Sequence, residues 1–450
     1  MDKSVFLLLL VSCATLVPVI SAWPNFGRPI LEDNFDEFLS KPIYVNNIIP
    51  DNFKYNGTND LRNKAAAESK VPQWVAFHGY EVEVHHVTTE DGYVLEMHRI
   101  LRRVNSEANN YTIFLQHGIL TSSMDWVIAG PEKGLGFLLA DQGYDVWMGN
   151  VRGNTYSRKH VKLSTDDGAY WDFSWHEMGL YDLPAMIDYA LAKTGQKKLF
   201  YIGHSQGTTA FFVMTSMRPE YNDKIHTMFA LAPVVFCSNM FSPLFQFLSK
   251  IEQSYLGNIL DWLDVHEFAP TNKLISKFAH LICRNAASKS IKIDKLCRNS
   301  MFLITGFDSE QFEDEILDIV FFHIPAGASA KQFRHFAQLI YSGSFRQFDY
   351  GFIYNYQKYG SWSPPHYDLS KVTAPVSLHY SLNDWISNES DVRILGQTLP
   401  NMIGKYRLPH TNFNHADYLW ARDVRKMLYF KLLSLINRET DAIIKRNNAV

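Results

Sequence analysis

Cysteine is scarce in this chain: four in 450 residues, at positions 13, 237, 283 and 297. No histidine cluster accompanies them, so the ligand pattern of a zinc site is missing and no metal is expected. A long basic run is missing too, because 43 Lys and Arg face 46 Asp and Glu for a formal net charge of -3. Without a basic stripe the electrostatic footprint of a nucleic-acid binder is absent, and a neutral or apolar partner fits better. After the first 22 residues no stretch reaches the roughly 18 uninterrupted apolar residues that a membrane-spanning helix needs. Internal repeats and low-complexity tracts are also lacking, which excludes solenoids and compositional linkers. Aromatic residues, by contrast, make up 14% of the chain, within a 46% hydrophobic total that can supply a large core.

Residues 1–22 read as a secretory signal: Lys3 near the start, an apolar run from Val5 to Ile20, then the small Ser21 and Ala22. The alternative is an N-terminal membrane anchor, against which stand Ser12, Thr15 and Pro18 within the run. A leader implies an oxidising compartment, which gives meaning to the glycosylation patterns at Asn56, Asn110 and Asn388. Cys13 would leave with the leader, and the odd number remaining means that at least one is free or pairs with another chain. A bridge between Cys283 and Cys297 would close a small loop worth about 3 kcal/mol.

Residues 23–70 are polar and acidic and read as an irregular arm. From Glu81 to Ile100, alternating apolar and polar residues flank Glu90-Asp91-Gly92, predicting an antiparallel hairpin. Tyr111 to Gln116 is a predicted buried strand ended by His117-Gly118, Gly134 to Ala140 is helical, and Tyr144 to Met148 is a strand ended by Gly149-Asn150. Asp182 to Ala192 has helical spacing, and Thr227 to Leu231 is the next strand. Such alternation argues for a mostly parallel sheet covered by helices on both faces. It lapses from Phe236 to Asp368, a stretch with helical spacing, many phenylalanines and no clean strand. Strands resume at Val376 to Tyr380 and near Lys405 to Leu408, and a helix over Val424 to Ile436 closes the pattern. The expected organisation is a core over 71–235 and 369–450, interrupted by a helical insertion over 236–368. A separate helical domain is the alternative for the insertion.

The chain is organised around Lys198 to Met217, KLFYIGHSQGTTAFFVMTSM. A β-forming run precedes Gly203-His204-Ser205-Gln206-Gly207 and a helix-length apolar segment follows it. The form G-x-S-x-G calls for a sharp strand-to-helix turn with Ser205 at its apex, and an ordinary βα turn would leave both glycines unexplained. Serine becomes a nucleophile only when a base takes its proton and a carboxylate orients that base. Asp384, directly after the Val376 strand, is the best acid, with Asp391 as runner-up. His415, between the last strand and the terminal helix, is the best base; His410 is its rival, and Asp417 reads as a helix N-terminal carboxylate. The backbone N–H groups of Gln206 and Ile119 are the candidate oxyanion donors.

Taken together, LQHGIL, GYDVWMGNVRGNTYSR, GHSQGTT, ITGFDSE, HIPAGAS and FNHADYLW resemble the acid lipase family of preduodenal lipases, lysosomal acid lipase and insect relatives. The resemblance spans about Trp74 to Asn437. It implies an α/β-hydrolase core, an inserted cap with a mobile lid, and hydrolysis of acylglycerol or sterol esters without a cofactor. By position, Ser205, Asp384 and His415 match the family's triad, Ile119 and Gln206 its oxyanion donors, and Cys283 and Cys297 its cap disulfide, leaving Cys237 free. Two departures stand out: the family's Trp-Gly-Tyr-Pro start reads His78-Gly79-Tyr80-Glu81, and Val151 replaces a common serine.

The expected protein is a secreted serine lipase or esterase acting on lipid esters at a lipid–water interface, in extracellular fluid or gut lumen, with the lysosome as the alternative destination. A lipid-binding protein on the same fold would show a broken triad, and none is broken here. An acyltransferase or thioesterase would share the acyl-enzyme.

Overall fold

The computed structural model describes residues 43–44, 69–101, 109, 111–254, 266–268, 304–308 and 310–448. The leader, most of the arm over 23–70, Asn56, Asn110, Cys283 and Cys297 lie outside the described residues.

Among the described residues ten strands form one sheet. In chain order these are β1 (Ile43–Tyr44), β2 (Val82–Thr88), β3 (Tyr93–Ile100), β4 (Thr112–Gln116), β5 (Asp145–Gly149), β6 (Lys159–His160), β7 (Leu199–His204) and β8 (Ile225–Leu231). A separate two-stranded ladder, β9 (Glu267–Phe268) with β10 (Ala328–Ser329), comes next, and β11 (Val376–Tyr380) and β12 (Met402–Arg407) complete the large sheet. Its order is β1-β2-β3-β5-β4-β7-β8-β11-β12, with β6 on β3. Strands β5, β4, β7, β8, β11 and β12 run parallel to their neighbours in that series. The β2–β3 pair is the expected antiparallel hairpin, with Gly92 at φ 98° in its turn. Two differences from the sequence reading are local: Ile43–Tyr44 adds a short strand within the stretch read as irregular, and β9 and β10 put strands in the stretch read as strand-free.

Continuous apolar runs make the central strands because both faces of the sheet are covered. Along β4, Phe114 enters one apolar cluster with helices α3 (Leu183–Thr194) and α4 (Gln206–Met217), described after α1 (Val71–Phe77) and α2 (Leu135–Asp141) in chain order. Ile113 and Leu115, pointing the other way, join α1, α2 and the C-terminal helix in the second cluster. Edge strand β12 is partly exposed and carries Lys405 and Arg407, which discourages further strand addition. Between β8 and β11 lie α5 (Pro243–Gln253), α6 (Asp314–His323), α7 (Ala330–Ser342) and α8 (Phe352–Tyr359). Helices α5 and α7 pack through stacked Phe245 and Phe333 and through Arg334 on Glu252 at 3.0 Å. After α9 (Glu389–Thr398) and α10 (Asp417–Trp420), the terminal helix runs through a π-helical turn at Arg425–Tyr429 into α11 (Phe430–Asn448), well past the predicted end at Ile436.

Arg152 ties three of these elements together. It is fully buried over the Tyr93 ring at 4.0 Å, with Nε donating to Asp182 at 2.7 Å and the two terminal nitrogens reaching Asp91 in the hairpin turn at 2.6 and 2.9 Å. Removing one partner of a buried ion pair strands the other charges in the interior. Arg152→Met is therefore expected to lower the unfolding free energy by about 3–5 kcal/mol, read from a urea titration. A loss under about 1 kcal/mol would place the cluster among solvated surface pairs.

Candidate active site

Strand β7 turns sharply into α4 at Ser205, whose φ of 53° and ψ of −122° lie outside the regions that L-residues favour. Glycine is required on both sides for different contacts. A Cβ on Gly203 would come within 2.9 Å of the Gly207 carbonyl carbon, and one on Gly207 within 2.4 Å of the Gln116 oxygen. The turn is pinned by Ser205 N–H to the Leu231 carbonyl at 3.1 Å and by the Thr208 hydroxyl, which donates to Ser205 O at 2.6 Å.

The structure brings His415 and Asp384 together. Nδ1 of His415 faces both Asp384 carboxylate oxygens, at 2.9 and 2.8 Å, and both side chains are buried. Asp384 Oδ1 also accepts from the N–H groups of Ile386 and Ser387 at 2.9 and 2.7 Å, so its carboxylate plane is fixed before the imidazole arrives. His415 Nε2 is buried with no hydrogen-bond partner, the atom a serine hydroxyl would address. His415 is anchored beside the serine turn: its carbonyl bonds His204 Nε2 at 3.0 Å, and the two rings lie 4.9 Å apart. Burial, then the neighbouring His415, hold His204 well below the usual imidazole range.

The third edge comes from the loop after β4. A Cβ on Gly118 would lie 3.1 Å from Ser205 Cβ and 3.6 Å from its Oγ, so a side chain there would push this loop a few tenths of an ångström off the serine. Ile119 follows, half-buried, and Leu120 adopts φ 62° with its carbonyl accepting from Ala326 N at 2.7 Å. Gln206 opens α4, so its backbone N–H has no intrahelical partner. Its side chain is engaged elsewhere, with Oε1 accepting from Gln332 of α7 at 2.9 Å.

The alternatives weighed in the sequence occupy other posts. His410 Nε2 sits on Asp308 Oδ2 at 2.9 Å. Asp391 accepts the Asn239 N–H and side-chain amide, each at 2.9 Å, near the N-terminus of α9. Asp417 stands at the start of α10, as read, and accepts Asn414 N–H at 2.6 Å. Asn388 caps α9 through its side-chain oxygen, which accepts from Ser390 N at 2.9 Å.

Sequence reading passed over the residues that hold the β4 loop. His117 donates from Nδ1 to Gly118 O at 2.7 Å, and its Nε2 accepts from Val151 N at 3.3 Å and Asn154 Nδ2 at 3.2 Å. Burial pushes this imidazole down to about 4, against the Gly118 hydrogen bond, so it is neutral and keeps that tautomer. Asn150 Oδ1 in turn takes Ser123 N and Asn154 Nδ2, each at 2.9 Å. Only the main chain of Val151 takes part, which is why a departure from serine there is harmless to the arrangement. The signal was the GNVRGN run itself, whose two asparagines have no reason in a plain strand exit.

Comparison with known proteins bears on the family and the fold. The chain matches the family model described as a partial alpha/beta-hydrolase lipase region over residues 71–130, and the alpha/beta hydrolase fold over 111–421. It is 44% identical to Lipase 1 of Drosophila melanogaster over 82% of this chain and 80% of that one. Gastric triacylglycerol lipases of Bos taurus and Homo sapiens are 39% and 37% identical, each over 82% of this chain and 91% of theirs. A solved structure from Sulfolobus solfataricus superposes with TM-score 0.56 at 12% identity, covering 80% of this chain and 95% of its own, which speaks to the fold alone. No helix among the described residues is long and apolar enough to cross a membrane. The chain belongs to the α/β-hydrolase lipase family of carboxylic ester hydrolases.

Proposed function

We propose that this protein is a secreted serine lipase that hydrolyses acylglycerols, and sterol esters as a further class, through an acyl-enzyme on Ser205. The observation that carries the reading is the buried His415–Asp384 pair, with Nε2 unpartnered, carried beside the strained Ser205 turn. His415 takes the Ser205 proton as the hydroxyl attacks the ester carbonyl, and Asp384 orients the imidazole and stabilises the imidazolium. The oxyanion is held by the N–H groups of Gln206 and Ile119. His415 then returns the proton to the departing alcohol. Water, activated by the same base, releases the fatty acid and restores the serine.

In this reading residues 236–368 are a cap over the strand ends, stapled by a Cys283–Cys297 disulfide, while residues 1–22 are a cleaved leader and Asn56, Asn110 and Asn388 are glycosylation candidates. An exposed aromatic face supports action at a lipid surface: Phe352, Tyr356 and Trp362 are 63, 51 and 52% exposed, and Trp362 stacks on Phe352 and Tyr356 with centroids 4.1 and 4.3 Å away. A cap that shields the serine must open to admit lipid. Hydrolysis of a short-chain triacylglycerol should therefore rise abruptly once its concentration passes the solubility limit. Smooth saturation through that limit would remove the lid, and no hydrolysis of any acylglycerol or sterol ester at acid or neutral pH would remove the lipase reading.

A further inference from the structure

Residues 304–308, part of the ITGFDSE motif, lie between the loops that carry Asp384 and His415. Thr305 O accepts from Trp385 N at 3.3 Å on the acid side and from His415 N at 3.1 Å on the base side. Gly306 O accepts from Asn414 Nδ2 at 3.0 Å, and Phe307 O from Asn383 Nδ2 at 2.9 Å. Gly306 is at φ +112°, and a Cβ there would fall 2.2 Å from Asn383 O, so the segment is clamped too closely for any side chain. Two direct contacts, Asn383 Nδ2 to Asn412 O at 2.7 Å and the Tyr418 hydroxyl to Ser381 Oγ at 3.2 Å, join the loops beside the Asp384–His415 pair, and the strap adds a bridge to the main chain of His415 and of Trp385, the residue after Asp384.

The strap ends at Asp308, which is buried beside Asp417. Asp308 Oδ1 takes the N–H groups of Glu310 and Gln311, and its Oδ2 takes His410. Asp417 is fully buried as well; Oδ2 accepts Asn414 N–H, Oδ1 is enclosed with no donor, and the carboxyl lies within hydrogen-bonding reach of the Asp308 carboxyl. Two buried carboxyls facing each other cannot both be ionised, and a single proton between them converts repulsion into a hydrogen bond.

We propose that Asp417 is a positioning residue that keeps its proton and donates it to the Asp308 carboxyl, and that this hydrogen bond latches the His415 loop to the 304–308 strap. The inference rests on His415 being the base. Groups facing the pair are Asp384 and Tyr418 on the Asp417 side and His410 on the Asp308 side, with Glu310 4.0 Å beyond His410. Burial first, then the Asp308 carboxyl, push Asp417 up from 3.8 to about 8, while the Asn414 N–H opposes the rise. The folded chain thus keeps a proton that the unfolded chain has released. The latch is at full strength below the unfolded value, weakens as pH climbs, and is lost as pH rises through about 8.

The test has two readouts. In a Ser205→Ala background, the infrared C=O stretch of a buried protonated carboxyl should be present at mildly acid pH, titrate away as pH passes about 8, and disappear on adding Asp417→Asn. In the active chain, Asp417→Asn carries a permanent donor towards Asp308, so it should raise the ratio of kcat at about pH 9 to kcat at about pH 5 by about fivefold or more, with KM held. Asp417→Ala, which has no donor, should lower kcat at both. The proposal is overturned if that background shows no band lost on titration, or if the pH profile of Asp417→Asn superposes on the parent. Should Asp417→Asn not fold, the titration in a Ser205→Ala, Asp125→Asn chain decides, since burial also pushes the Asp125 carboxyl up to about 7 and its band must be removed first. Hydrolysis that survived Ser205→Ala would instead sink the triad reading and leave the infrared result standing.

Discussion

Asp384→Asn is expected to cut kcat for ester hydrolysis by about 10⁴-fold, with KM and the fold little changed. The size of the effect follows from which oxygen is already committed. Asp384 Oδ1 accepts two backbone N–H groups, from Ile386 and Ser387, so an asparagine must leave its carbonyl oxygen there. Its amide nitrogen then takes the place of Oδ2, 2.8 Å from His415 Nδ1, and presents a hydrogen where the carboxylate presented a lone pair. The amide hydrogen opposes the Nδ1 hydrogen, which keeps only the oxygen at the Oδ1 position, 2.9 Å away and already shared with two N–H groups, so the tautomer with its hydrogen on Nε2 is favoured. A protonated Nε2 cannot accept the Ser205 proton. Rates on a soluble short-chain ester measure the loss, and a drop of under about tenfold would mean that Asp384 is not the orienting carboxylate. Because the substitution is nearly isosteric, the unfolding midpoint should stay within a few degrees, which separates this from collapse of the loop.

The second large effect is Ser205→Ala, expected to lower kcat by about 10⁴- to 10⁶-fold. Residual hydrolysis would come from the oxyanion donors and from binding, which the substitution leaves alone. Alanine also relieves nothing in the backbone, since φ at 205 remains in the left-handed region, so stability should change little. Purified chain assayed on an emulsified triacylglycerol decides it, and activity retained within tenfold removes the serine from the chemistry. Asp384→Asn and Ser205→Ala should not add: once the nucleophile is gone, the tautomer of His415 has nothing left to serve.

Much of this was legible in the residues because the strongest signals are local. Each central strand is a short apolar run followed by a turn, and G-x-S-x-G announces its own geometry through the two glycines that contact Gln116 and each other. Asp384 and His415 could be chosen over Asp391 and His410 from chain order, since each follows a strand where the sheet presents its carboxyl ends. What escaped had partners far away in sequence. Thr305 and Gly306 act through main-chain atoms on residues 80 to 110 positions later, and no side-chain pattern reports a carbonyl's destination. Arg152 and Asp182 stand 30 positions apart with no sequence pattern linking them; only the fold makes them a pair. The end of α11 was missed because residues beyond Ile436 are mostly polar, and its amphipathic face continues sparsely through Thr440 and Ile443.

The strap over 304–308 has a consequence for recombining relatives. Exchanging the stretch from 236 to 368 between two such lipases looks modular, because it leaves the sheet after β8 and returns before β11, the next strand beside it. The strap breaks that modularity. A chimera imports a foreign Thr305-to-Asp308 segment between a resident acid loop and a resident base loop, so its activity depends on whether Asn383, His410, Asn414 and Asp417 came from the same parent. The junctions that preserve function are those drawn around this segment and its four partners, rather than those drawn at the ends of the insertion.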